Sequence, residues 1–221
     1  MVSFLRTTTI AIAWMTLTST SSTLAMDQSD LSTLLTNKHC PRCDLSGADL
    51  SGANLIGANI SGANLENTIL VRANLWRANL TESNLTEADL TGANLRDAEL
   101  SRTNLTRAIL KGANLKFVTA TETLLKEATL NKANLLQANL RNADLSDADL
   151  SGAYVAGADL QDSLLTRINF KNTNLVGANL QDLDLTDLDL TSANLRNAKI
   201  RGAIFCRTQT SWGQDDTSCS E

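Results

Sequence analysis

The chain has 221 residues, 43% of them hydrophobic, a formal net charge of -5, one proline and only 4% aromatic residues. That apolar share is enough for a core, which excludes wholesale disorder, and the acidic balance gives no electrostatic reason to bind nucleic acid. The dominance of Leu, Ala, Asn, Asp and Thr is the composition of a repetitive chain rather than of a mixed globular one.

Residues 1–25 read as a secretory signal peptide. Arg6 precedes an acid-free stretch that includes Ile10, Ala11, Ile12, Ala13, Trp14, Met15 and Leu17, and the small-residue site Thr23-Leu24-Ala25 follows. The apolar run is too short and too rich in Thr for a transmembrane helix, so no stable membrane insertion is expected after cleavage behind Ala25. Losing Arg6 and no acid takes the net charge from -5 to -6. Residues 26–42 read as an N-terminal helical cap, with Ser29 or Asp30 at the helix start and Leu31, Leu34 and Leu35 forming one apolar stripe.

From Leu45 to Phe205 every fifth residue is apolar. Of these 33 positions 27 are Leu, and the others are Ile60, Ala120, Val155, Phe170, Ile200 and Phe205, so the register never slips. Two residues earlier stands a small residue, Ala at 22 of 33 positions from Cys43 to Ala203. Asn or Asp mostly lies between the two. A period of five fits neither a helix face nor an alternating strand, but it fits a coil of short sides and corners. The Leu and the small residue then face the axis together, and Asn, Asp and Gly supply the corners.

The number of sides can be read from the exceptions. Eleven of the small positions are not Ala, and six of these, Cys43, Ser83, Thr103, Thr123, Ser163 and Leu183, are separated by multiples of 20. Twenty residues per coil, hence four sides, is the expectation.

Segments such as Ala48-Asp49-Leu50-Ser51-Gly52 and Ala93-Asn94-Leu95-Arg96-Asp97 resemble the unit of the pentapeptide-repeat family. The resemblance runs from residue 43 to residue 205. It implies an all-β solenoid, a right-handed four-sided β-helix of about eight coils. With the Cys-Pro-Arg-Cys-Asp-Leu-Ser-Gly-Ala start at residue 40 and the Phe205-Cys206 end, it is similar to exported cyanobacterial members of the periplasm or thylakoid lumen. Residues 206–221 then form a C-terminal cap or tail.

Two regions depart from the unit. Around Lys116-Phe117-Val118-Thr119-Ala120 the inward residues are atypical, so a bulge or loop of whole units fits there. Ile168, Leu183 and Leu188 are oversize at small positions, and local repacking of the core is expected.

Cys40, Cys43, Cys206 and Cys219 lie at the two ends of the repeat block and are candidate disulfide partners in an oxidising compartment. Cys40 and Cys43 read as a structural disulfide or buried thiols, with thiol exchange as the alternative, and a Cys206–Cys219 bond would fold back the tail. His39 is the sole histidine, so His39, Cys40 and Cys43 give three ligands at best and no metal is expected. No Ser-His-acid set or phosphate-cradling Gly loop is present, so neither catalysis nor a cofactor is expected.

With 20 residues per coil, one outward column runs Ile56, Trp76, Arg96, Lys116, Leu136, Ala156, Val176, Arg196, with Phe117 and Tyr154 on the same side. This apolar and basic face is the candidate interaction surface for a protein partner. Asn54, Asn74, Asn94, Asn114, Asn134, Asn174 and Asn194 share that side and are expected to serve corner hydrogen bonds. A second side, with Glu82, Glu99, Glu122, Asp159, Asp162 and Asp182, is acidic. The functional expectation is a non-catalytic scaffold, and a self-associating structural rod is the alternative.

Overall fold

The computed structural model describes residues 27–216 and residue 219. The signal segment expected at residues 1–25 lies outside the described residues. From residue 39 onward, single-residue parallel bridges join positions 20 apart. They form four columns: side 1 through Asp44 and Asn64, side 2 through Asp49 and Ile69, side 3 through Asn54 and Asn74, and side 4 through His39 and Asn59. Twenty residues therefore make one coil.

The sides are short because each Leu is followed by a tight turn. Ala48 N donates to Leu45 O at 3.0 Å, and Gly47 between them has φ +67°. That is the left-handed third residue of a type II turn, and it recurs at every corner from Arg42 to Arg207 except at Ser192. Many of these corners carry Arg, Glu or Asp rather than Gly, so neighbouring coils must hold them in this region against the usual steric cost. At Gly202 a Cβ would meet Asp182 Oδ1 at 1.9 Å, so a larger residue there requires the Asp182 carboxylate to swing aside.

Asn and Asp act one step before the corner, correcting their expected place in it. They occupy the middle of each side, and Oδ1 accepts the backbone N–H two residues on, as Asn79 does from Thr81 at 3.0 Å and Asp89 from Thr91 at 2.8 Å. An Asx turn thus pre-bends the chain where the corner begins.

The two inward residues of each side make one continuous core. Leu55, Leu75, Leu95 and Ala58, Ala78, Ala98 are all fully buried. Each buried Leu contributes about 2 kcal/mol, and the Ala two before it leaves the space for its side chain. Where Ser or Thr replaces Ala, the hydroxyl donates to a core carbonyl: Thr103 and Thr123 bond Leu80 O and Leu100 O at 2.7 Å, and Ser83 bonds Leu80 O at 2.6 Å. The polar group is buried without being orphaned.

The N-terminal helix α1 spans Gln28–Asn37. Its cap is Asp27, not Ser29 or Asp30: Asp27 Oδ1 accepts from Ser29 N at 2.8 Å. Asp30 instead reaches down to the first coil and accepts Asp44 N at 2.8 Å. Leu34 is buried and Leu31 partly buried against the core, whereas Leu35 is 53% exposed. At the other end a hairpin pairs β1 (Thr208–Thr210) with β2 (Gly213–Asp215). Disulfides join Cys40 to Cys43 and Cys206 to Cys219.

Nothing loops out at residues 116–124. Thr119 bridges Glu99 and Asn139, Leu124 bridges Asn104 and Asp144, and Val118 and Ala120 fill the inward places.

The oversize residues have a larger consequence than local repacking. Side 1 is bridged along its length except between Leu164 and Asp184, and side 2 except between Asn169 and Asp189. The backbone bonds expected from Leu165 to Asp184 O, Arg167 to Thr186 O and Phe170 to Asp189 O are absent among the described residues, while the bonds one coil earlier are 2.9 Å long. Ile168, Leu183, Leu188 and Phe170, all buried, lie on these same two sides. Three added methylene-sized groups at each small position exceed what the axis can hold, so the coils part instead of the side chains collapsing. The seam leaves a depression of about 260 Å³ beside Leu164, Leu165, Thr166, Asp184 and Thr186.

Candidate interaction face

The 20-residue coil stacks Ile56, Trp76, Arg96, Lys116, Leu136 and Val176 in one column at the corner after side 3. Stacking gives Trp76 a fixed setting. Its indole N–H donates to Asp97 Oδ2 at 3.0 Å, and the Arg77 guanidinium lies 4.7 Å from its ring centre. Arg96 Nε is 3.4 Å from the same Asp97 oxygen, and its guanidinium lies 5.4 Å from the Phe117 ring. Two aromatic rings, two guanidinium groups and one carboxylate are thus locked across adjacent coils. Arg77 and Asp97 are not among the residues of the sequence-derived face, although they occupy the same second position after Leu as Phe117, two coils and one coil before it.

The side-3 asparagines brace this column. Asn74 Oδ1 accepts from Trp76 N at 3.3 Å and from Asn94 Nδ2 at 3.0 Å, and Asn114 Nδ2 continues the ladder to Asn94 at 2.9 Å. Tyr154 replaces Asn in this row and is 41% exposed, while Phe117 is 38% exposed. Trp76, Lys116, Leu136 and Val176 are half-buried, and Ala156 is buried. Exposed apolar residues are not confined to this side. Leu124, Leu164 and Ile204 stand at mid-side positions on side 1, and Ile69 and Ile109 on side 2, places the sequence reading had passed over.

The corner after side 1 carries inter-coil ion pairs: Glu87 with Arg107 at 2.8 Å, Asp147 with Arg167 at 2.6 Å and Asp187 with Arg207 at 2.6 Å. On the side read as acidic, Glu82 pairs with Arg102 at 2.6 Å, and Arg141 with Asp159 and Asp162 at 3.3 and 3.0 Å. Hydrogen bonds from Arg167 and Arg207 hold the Asp147 and Asp187 carboxyls below their usual range, and hydrogen bonds from Thr191 do the same for Asp189. A carboxylate depressed on folding adds stability above its unfolded value of 3.8, and that contribution disappears as pH falls through the lower folded value. The urea midpoint should therefore be level above about pH 5 and drop below about pH 4. The Asp147→Asn/Asp187→Asn protein should show a visibly shallower drop; an identical acid limb in both proteins would contradict this.

At the N-terminal end Asp30, Cys40 and Cys43 bring ligand atoms within 4.8 Å of one another. Both sulfurs are taken up by the disulfide, and Cys40 and Cys43 are 2% and 9% exposed. Among the described residues no helix is long and apolar enough to cross a membrane.

The description "Pentapeptide repeats" matches in eight copies, in segments that together run from residue 41 to residue 207. The chain belongs to the pentapeptide-repeat family. Members fold as right-handed quadrilateral β-helices and are generally structural or interaction modules. The chain is 32% identical to HetL of Nostoc sp. strain PCC 7120, a pentapeptide-repeat protein involved in regulating heterocyst differentiation, with 79% of this chain and 86% of that one covered and a TM-score of 0.40. A trypsin-treated form of QnrB1, a plasmid-mediated fluoroquinolone resistance protein, is 25% identical over 73% of this chain and 79% of its own, with a TM-score of 0.57. A pentapeptide-repeat protein of the Arabidopsis thaliana thylakoid lumen is 29% identical over 52% of this chain and 70% of its own, with a TM-score of 0.23. No curated protein matches the chain.

Proposed function

We propose that this pentapeptide-repeat chain is a non-catalytic scaffold, exported to the periplasm or thylakoid lumen, that docks a protein partner through the side-3 corner around Ile56 and Trp76. About eight coils form its body, α1 closes one end, and residues 206–221 close the other. The carrying observation is the cluster of Trp76, Arg77, Arg96, Asp97 and Phe117. Trp and Arg dominate the energetics of protein interfaces, and here their side chains are already held in place, so little conformational entropy is lost on docking. Export is supported by the residue 1–25 pattern and by four cysteines that all engage in disulfides. Thiol exchange has less support, since the Cys40–Cys43 bond is buried under α1.

The mature chain immobilised as bait in periplasmic or lumenal extract tests this. Trp76→Ala and Ile56→Glu should each weaken capture of the partner about 30-fold, the effect of losing a 2 kcal/mol anchor, while Leu164→Glu on the opposite side leaves it intact. An unchanged set of captured proteins in the first two variants would place docking elsewhere. A reporter fused to residues 1–40 and retained in the cytoplasm would overturn export.

A further inference from the structure

The seam between the coil bearing residues 160–172 and the coil bearing residues 180–192 is open on two adjacent sides and closed on the other two. On side 3, Leu175 N bonds Asn194 O at 2.9 Å and Asn194 N bonds Thr173 O at 2.9 Å; on side 4, Leu180 N bonds Lys199 O at 2.8 Å and Lys199 N bonds Ala178 O at 2.9 Å. Beyond the seam the stack is whole again, because Asp184 bridges Ile204, Asp189 bridges Gln209, and the Cys206–Cys219 disulfide ties the tail to the last coil. The seam therefore separates two bodies that are each fully bonded.

We propose that this seam is a built-in hinge: the part from about residue 183 to the end rocks as a unit about sides 3 and 4, opening and closing the mouth at Leu164 and Asp184 on side 1. An ordinary coil junction resists this motion because bending it breaks backbone hydrogen bonds on every side it opens. At the seam those bonds are already missing, so opening by a further ångström costs none of them. Closing is opposed by the crowding of Ile168, Leu183 and Leu188 at the axis. The axis lies on the sides that keep the Trp76 corner column continuous, so bending re-aims the C-terminal hairpin and Trp212 without breaking that column. Trp212 is 57% exposed and travels with the moving part.

Spin-label distances on the full chain, with both disulfides oxidised, test the hinge. Labels at Thr106 and Thr186 span four coils across the seam, about 19 Å; labels at Glu66 and Ser146 span four coils of the same column without crossing it. The first pair should give a distance distribution at least twice as broad as the second. Ile168→Ala/Leu183→Ala/Leu188→Ala should narrow the first pair to match the second. Hydrogen exchange gives an independent reading: amides of Leu165, Arg167 and Phe170 should exchange at least 100-fold faster than those of Leu145, Asp147 and Leu150, their counterparts one coil back. Equal distribution widths for the two pairs would overturn the hinge even if the exchange difference holds, because rapid exchange alone requires only a static gap.

Discussion

Leu90→Ala is expected to lower the free energy of unfolding by about 3 kcal/mol, measured by urea denaturation of the mature chain. Leu90 is fully buried, and its places above and below along the axis are taken by the equally buried Leu70 and Leu110. The neighbours cannot close the cavity, because their backbones are pinned by bonds to the next coil: Leu70 N to Asp89 O and Leu90 N to Ile109 O, both 2.7 Å. Loss of transfer energy and a persistent void then add. Leu35→Ala, at an exposed site on α1, should change stability by less than 0.5 kcal/mol. A repeat stack is stabilised by nearest-neighbour interfaces, so the same change at Leu50 in the first coil should cost less than at Leu90, which has full coils on both sides. Equal, small losses at Leu90 and Leu35 would mean that the Leu column is not a continuous core.

Much of the solenoid is legible in the sequence because the constraint is so repetitive. An unbroken apolar column, mostly Leu, shows which residues face the axis, and the spacing of Cys43, Ser83, Thr103, Thr123, Ser163 and Leu183 shows that four units close a coil. That spacing has a physical source: stacked residues share one local width of the core, so exceptions gather in one column. Capping was harder to read because Asp27, Ser29 and Asp30 all carry capping chemistry within four residues. Only tertiary contact separates their roles, since Asp30 is drawn away to Asp44 N. The Trp76 cluster was half legible. Its column followed from the period, but Arg77 and Asp97 join it only through their contacts with the Trp76 indole, which the period does not specify.

The seam was the least legible feature. Oversize residues are visible in the sequence at Ile168, Leu183 and Leu188, yet a crowded core has two ways to relax. Side chains can shift rotamers, or backbones can separate. A solenoid axis enclosed by four bonded sides leaves little lateral room, and three large residues fall on two adjacent sides of one junction. Separation on those two sides relieves all of them at once, at the loss of the five backbone bonds that Leu165, Arg167, Phe170, Asp184 and Asp189 would donate across the junction, each worth on the order of 1 kcal/mol. Single exceptions elsewhere cause no parting: the sides holding Val118 and Thr123 keep their bridges to the coils before and after. Crowding must therefore be clustered to open the stack.

That reasoning predicts that a seam can be moved. Ala108→Ile, Thr123→Leu and Ala128→Leu lie 60 residues before Ile168, Leu183 and Leu188, on the same two sides, in a part of the solenoid where the bonds between coils are present. Leu105 N bonds Leu124 O at 2.7 Å, Arg107 N bonds Lys126 O at 2.9 Å and Leu110 N bonds Thr129 O at 2.7 Å. The triple variant should lose these three bonds, and their amides should exchange at least 100-fold faster, while Leu115 N to Asn134 O on side 3 stays protected. Overpacking by three large residues should lower stability by about 5 kcal/mol in total, less than the sum of three independent insertions because one parting relieves all three. Each single substitution should cost about 1–3 kcal/mol and leave the amides protected. If one substitution alone opened the junction, parting would follow from individual side-chain size rather than from clustering. If the triple variant kept all three bonds, the gap at Leu164 and Asp184 would need a cause other than the residues beneath it.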